Sequence, residues 1–141
     1  MLGNENLNRE EVLRAHREAA IRRIAQHGGT ILAAQDTTSL NYDTHEKTEG
    51  IGYISDKTLG INIHSNLAVT VGGPVLGILE QRPYNRIQAK DNTRSHESKK
   101  VRALEEKESF RWVQSLETST GSLPEGVKVL TVCDREGDMA D

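Results

Sequence analysis

ILAAQDTTS at residues 31–39 and VLTVCDREGD at residues 129–138 are the two stretches on which the reading of this chain turns. Each begins with a short apolar run bounded by turn-forming residues, the pattern of a buried strand. Each run closes on an aspartate, Asp36 in the first and Asp134 in the second. A carboxylate at the end of such a strand stands where the backbone leaves the core and polar chemistry becomes accessible. With the two strands side by side, about 4.8 Å apart, Asp36 and Asp134 would be the minimum set for holding a divalent metal.

Working outward, residues 8–27 read as a helix. Val12, Ala15 and Ala19 recur at steps of three and four, Leu13, Ala20 and Ile24 at seven and four, and together they predict one broad apolar face. His16 and Arg23 interrupt that face, while Arg14 and Arg22 lie on the solvent side. Gly28-Gly29 stops the helix, and residues 30–35 form the first strand. Residues 39–52 are polar and turn-rich and read as a loop. Residues 51–54 and 60–71 are strand material, with Ile61, Ile63, Ser65, Leu67 and Val69 on one face by alternation. Gly72-Gly73-Pro74 makes a turn into a strand at 75–80, which predicts an antiparallel hairpin. Residues 82–94 read as a polar loop, 96–116 as a helix with Val101, Leu104, Trp112 and Leu116 near one face, 118–126 as a loop, and 127–132 as the last strand.

The order helix, three strands, helix, strand predicts an α/β fold with a mixed sheet. Three strands joined by turns are antiparallel, and a helical crossover returns the fourth strand parallel to the first. Docked beside it, the fourth strand brings the two aspartates to one end of the sheet.

Composition narrows the classes of function. The chain has 141 residues, enough for one domain with a core. Its 18 Lys and Arg against 21 Asp and Glu leave it formally −3, so overall charge gives no support to a nucleic-acid partner and local patches would have to supply one. One cysteine, Cys133, excludes an intrachain disulfide and fits a reducing compartment. No stretch approaches the roughly 18 apolar residues of a membrane helix, and the polar start MLGNENLNRE lacks a secretory pattern. A cytoplasmic protein without a membrane partner is the expectation.

Phosphodiester chemistry needs charge neutralised on the transferring phosphate and a nucleophile activated at neutral pH, and divalent ions held by carboxylates supply both. Magnesium takes oxygen ligands and keeps several waters, so Asp36 and Asp134 are the right type of residue for it. Taken singly, each aspartate reads equally well as a turn former, Asp36 in an Asx-turn with Thr37 and Thr38, and Asp134 at the start of a helix.

The words around these aspartates go further. QDTTSLNY at residues 35–42, EEKESFRW at 105–112 and VCDREGD at 132–138 resemble the DDE transposases of bacterial insertion sequences, in the transposon-five group. GYISDKTLGINIHSNLAVT at 52–70 and VLGILEQR at 75–82 resemble the second and third strands of the same family, and all segments come in the family's order. The resemblance implies a ribonuclease-H-like catalytic core at residues 29–141, preceded by an N-terminal helix at 1–28. It makes Asp36 and Asp134 the first two members of a catalytic triad and ligands of Mg2+ or Mn2+. The third member, a glutamate on a later helix, has no counterpart, and Glu136 is too close to Asp134 to replace it. The expectation is therefore a truncated transposase with weak metal binding and little strand transfer of its own. Its implied partners are DNA at transposon ends, a second copy, or an intact transposase with which a non-catalytic remnant would interfere. A ribonuclease-H-like nuclease completing its site with Asp138 or Asp141 is a further alternative.

Other residues invite plainer readings. Thr37 and Thr38 order the metal loop or serve as turn residues. Arg135 contacts a phosphate or stays on the surface, and Glu136 and Asp138 favour a helix start. Trp112 is expected in the core, with Lys107 and Arg111 on a solvated face. Lys99, Lys100 and Arg102 belong to a mixed-charge helix surface. His45, His64 and His96 have no zinc-ligand spacing, and Cys133 is expected to be a buried, inert thiol.

Overall fold

Asn8 starts the first helix by accepting the Glu10 backbone N–H on its Oδ1 at 2.9 Å, and Glu10 and Glu11 place negative charge in the first turn. This helix, α1 (Arg9–His27), ends at Gly28, whose φ of 63° only glycine adopts readily and whose N–H closes on the Ile24 carbonyl. Five strands and a second helix follow: β1 (Thr30–Asn41), β2 (Gly52–Tyr53), β3 (Leu59–Thr70), β4 (Val75–Tyr84), α2 (Phe110–Thr120) and β5 (Lys128–Val132). These elements come from a computed structural model that describes residues 8–45, 47–55, 57–85 and 110–134.

The fold is α/β with a mixed sheet. β3 pairs antiparallel with β1 along one side and with β4 along the other, β2 adds two residues at the start of β3, and β5 lies parallel to β1. The three antiparallel strands and the returning parallel strand are those expected from the sequence.

The strand lengths differ from expectation in one way that matters. β1 does not stop at Gln35 but runs on to Asn41, because β3 offers it a partner over its whole length, from Ile31 opposite Thr70 to Asn41 opposite Gly60. Thr37 and Thr38 are thus ladder residues, paired with His64 and Ile63, and the Asx-turn reading is wrong. β-Branched threonines suit that place. β4 likewise reaches Tyr84, beyond the expected end at Glu80. Two register shifts against β3 leave Leu76 and Leu79 as extra residues, and these bulges turn both leucines inward although their spacing would put them on opposite faces of a regular strand.

One face of the sheet carries both helices. On it, Ala20 and Ile24 of α1 meet Ile31, Ala68, Leu76 and Leu79, with Leu123, Val127 and Val129 packed at the margin. The contact stripe of α1 follows Leu13, Ala20 and Ile24. Val12, expected on the apolar face, is 51% exposed, and Ala15 is exposed too. α2 lies over β3 and β4 and buries Trp112, Ser115 and Ser119. The inward residues of β3 are Gly60, Asn62, His64, Asn66, Ala68 and Thr70, whereas the alternate set from Ile61 to Val69 is half-buried on the other face. The expected helix start near residue 96 lies outside the described residues.

Candidate metal site and its polar support

Asp36 occupies the middle of β1, opposite Ser65 of β3, and its side chain is exposed. Strand alternation sets it on the face opposite the helices, since Ile31, Ala33 and Gln35 are the buried residues of β1. Asp134 follows the end of β5 by two residues and is exposed as well. Thr30 pairs with Lys128 and Ala34 with Val132, a constant offset of 98 in number. Asp36 and Asp134 differ by the same 98. Were the parallel register continued two residues beyond Val132, where β5 ends, the two aspartates would stand level on adjacent strands.

Asp36 does not sit at the end of its strand, because β1 and β3 continue past it as a paired ribbon. What ends at this level is β5, so the polar opening comes from the short neighbour and not from β1 itself.

Two carboxylates with exposed oxygens fit a hard divalent ion that keeps most of its waters, and they do not fit a softer metal that demands nitrogen or sulfur. Among the described residues no group of three or more His, Cys, Asp or Glu side chains gathers in metal-binding range.

Behind Asp36, on the helix-covered face, lies a line of polar side chains that the sequence did not single out. His64 is 2% exposed. Its Nε2 lies 3.0 Å from Gln35 Oε1 and its Nδ1 lies 3.0 Å from Thr37 Oγ1. An amide oxygen only accepts, so Nε2 carries the proton. In the neutral ring Nδ1 then accepts from the Thr37 hydroxyl. Burial lowers the His64 pKa below its ordinary 6.5, and the Arg111 charge pushes the same way. The Trp112 ring meets the imidazole edge-on at a centroid distance of 4.5 Å. Along the same line Ser39 Oγ donates to Asn62 Oδ1 at 2.7 Å, and Asn66 Nδ2 donates to Ser119 Oγ at 2.9 Å. The signal available in the sequence was the alternation of Asn62, His64 and Asn66 inside an otherwise apolar strand.

The remaining candidates fall as follows. Trp112 is buried as expected, 4% exposed. Arg111 is not on a solvated face: it is partly buried, its guanidinium carbon 4.8 Å from the centre of the Tyr84 ring. Cys133 is exposed, not buried; it follows β5, whose residues other than Val129 are exposed. His45 lies against Tyr42, away from these groups. Lys99, Lys100, Arg102, Lys107, His96, Arg135, Glu136, Asp138 and Asp141 lie outside the described residues.

A groove of about 330 Å³ between α1 and β4 gathers Arg9, Arg14, Arg17 and Arg82 with Glu10 and Glu80. Its arginines are engaged by the framework. Arg9 donates to the Gln81 carbonyl, Arg14 to Glu18, Arg17 to the Thr118 carbonyl and Ser122, and Arg82 to Glu80 and Gln114. No protein-family model matches the chain.

Proposed function

We propose that Asp36 and Asp134 hold a divalent metal for phosphodiester chemistry on DNA, within a ribonuclease-H-like core of the DDE transposase kind. The observation that carries the reading is the shared offset: the β1–β5 register and the spacing of the two aspartates are the same number. Strand order and direction, with β1 between its antiparallel partner β3 and the parallel β5, support the ribonuclease-H-like assignment.

In this reading Asp36 and Asp134 each offer carboxylate oxygens to Mg2+ or Mn2+. Such an ion, when bound, neutralises charge on the scissile phosphate and makes a bound water a better nucleophile. The chain's own part is to present Asp36 from the paired β1–β3 ladder, whose far face carries the two helices, with Asp134 two residues beyond the end of β5. Two ligands alone make a weak site, and strand transfer by this chain alone is expected to be slight.

Titration with Mn2+ followed by electron paramagnetic resonance tests the reading. Weak binding that Asp36→Asn and Asp134→Asn each abolish is the expected result, and binding indifferent to both substitutions would end it. Adding the chain to an intact transposase of the same kind and counting transposition events separates the catalytic reading from its alternative. A fall in events that persists with Asp36→Asn would favour a non-catalytic partner of DNA or of the intact enzyme.

A further inference from the structure

Asp36 stands between two residues that a single side chain holds. Gln35 and Thr37 both point to the helix-covered face, and the His64 imidazole on the neighbouring strand bonds to each of them at 3.0 Å. The ring is closed in by Trp112. Its two nitrogens therefore span a three-residue stretch of β1 whose midpoint is Asp36.

We propose that His64 is a positioning residue for the metal site: from the opposite face of the sheet, its imidazole ties down the side chains on both sides of Asp36 and so fixes the direction in which the carboxylate leaves the strand. The inference rests on the reading of Asp36 as a metal ligand and adds the group that orients it. The physical need is plain. Asp36 is exposed, so no packing around its own side chain orders it. The order has to come through the backbone. A strand is free to twist and shear about a ladder of backbone bonds, and its local twist sets where each side chain points. Two side-chain bonds to one rigid, buried ring remove that freedom at residues 35 and 37. The neutral ring suits the task, because Nε2–H donates to Gln35 while Nδ1 accepts from Thr37, and each flanking residue receives a bond of fixed sense. Trp112 of α2 packs against the ring, and the charges that act on it are Arg111 of α2, Glu80 and Arg82 of β4 and, from across the sheet, Asp36 of β1.

Four variants of the whole chain, His64→Gln, Thr37→Val, Thr37→Ser and Asp36→Asn, would be titrated with Mn2+ under electron paramagnetic resonance, with circular dichroism to verify folding. Loss of an outer support of a metal ligand weakens affinity by about tenfold or more. The expected result is such a loss in His64→Gln and in Thr37→Val, with native affinity in Thr37→Ser, which keeps the hydroxyl. A role in folding alone would lower the melting temperature of Thr37→Val and leave the affinity of the folded protein unchanged. Where His64→Gln fails to fold, the valine and serine pair decides. Native affinity in folded Thr37→Val, with binding lost in Asp36→Asn, would overturn this inference and leave the metal reading standing. No binding by the native chain, or binding unchanged in Asp36→Asn, would overturn the metal reading and this inference together.

Discussion

Along β4 the sheet is closed by side chains of α1, whereas along β5 no described element covers its edge. Arg9 donates to the Gln81 carbonyl at 2.7 Å, Arg23 to the Leu76 carbonyl at 2.9 Å, and the Ile78 N–H donates to His16 Nε2 at 3.4 Å. An edge strand carries unpaired backbone groups that invite pairing with another chain. Here the helix meets three of them, two with His16 and Arg23, the residues that interrupt its apolar face. At the other edge, Leu130 is 56% and Val132 48% exposed, and no described element pairs the outer side of β5. Asp134 and Cys133 continue from this bare strand. The difference separates two tasks: the β4 half is scaffold, and the β5 half is where carboxylates meet solvent.

The sharpest way to break the comparison is in the closed half. Ile24 is fully buried between α1 and the sheet. Ile24→Ala removes apolar contact and leaves a cavity, so chemical denaturation should show a loss of about 3 kcal/mol. A loss below about 1 kcal/mol would mean that the helix is not the lock described above.

Next comes the closest approach of helix to strand. Gly77 has a φ of 142°, and a Cβ there would stand 2.8 Å from the Ala20 Cβ. Gly77→Val should cost about 2 kcal/mol through strain and overpacking. Combining it with Ala20→Gly should recover the overpacking part and leave the backbone part. A double-mutant cycle showing no coupling between the two positions would place α1 farther from β4 than described.

These effects show how far the sequence could be read. The apolar runs, the Gly72-Gly73-Pro74 hairpin and the crossover before residues 128–132 were legible, because each depends on short-range pattern. So was the parallel pairing of β1 with β5, since a helical crossover returns a strand in that sense. The length of β1 was not, because its last six residues are polar and only a long partner makes them a strand. Nor was the buried side of β3: alternation sets Ile61 to Val69 on one face without saying which face is covered. The helices instead cover Asn62, His64 and Asn66, which bond to Ser39, Thr37, Gln35 and Ser119. Cross-strand and cross-layer partners of that kind have no signature in linear order. His16 and Arg23 were read as flaws for the same reason.

His64 supplies a smaller test, spread over pH. In the unfolded chain its imidazole titrates near the ordinary 6.5, and in the fold burial and Arg111 hold its pKa lower. Between those two values the unfolded chain binds more protons, so stability is full above about pH 6.5 and declines as the pH falls toward the folded value. One proton limits the slope to about 1.4 kcal/mol per pH unit. Denaturation midpoints measured from pH 8 to pH 5 should fall in the native chain, and His64→Gln should remove the part of that fall due to the imidazole. An unchanged profile in the variant would show that the His64 imidazole takes up its proton as readily in the fold as in the unfolded chain.

The least effect is expected where the comparison began, at the bare strand. Leu130→Thr replaces a half-exposed leucine by a residue of good strand propensity, so its cost should stay within about 0.5 kcal/mol. The same class of change at Ile24 or Leu79, on the closed side, removes a fully enclosed side chain. The contrast therefore measures the asymmetry directly, with residue size nearly held constant. A loss above about 1 kcal/mol for Leu130→Thr would mean that something covers β5 in solution, and that Asp36 and Asp134 open beneath a cover and not directly onto solvent. Native stability instead would leave β5, the strand that runs into Asp134, open to solvent.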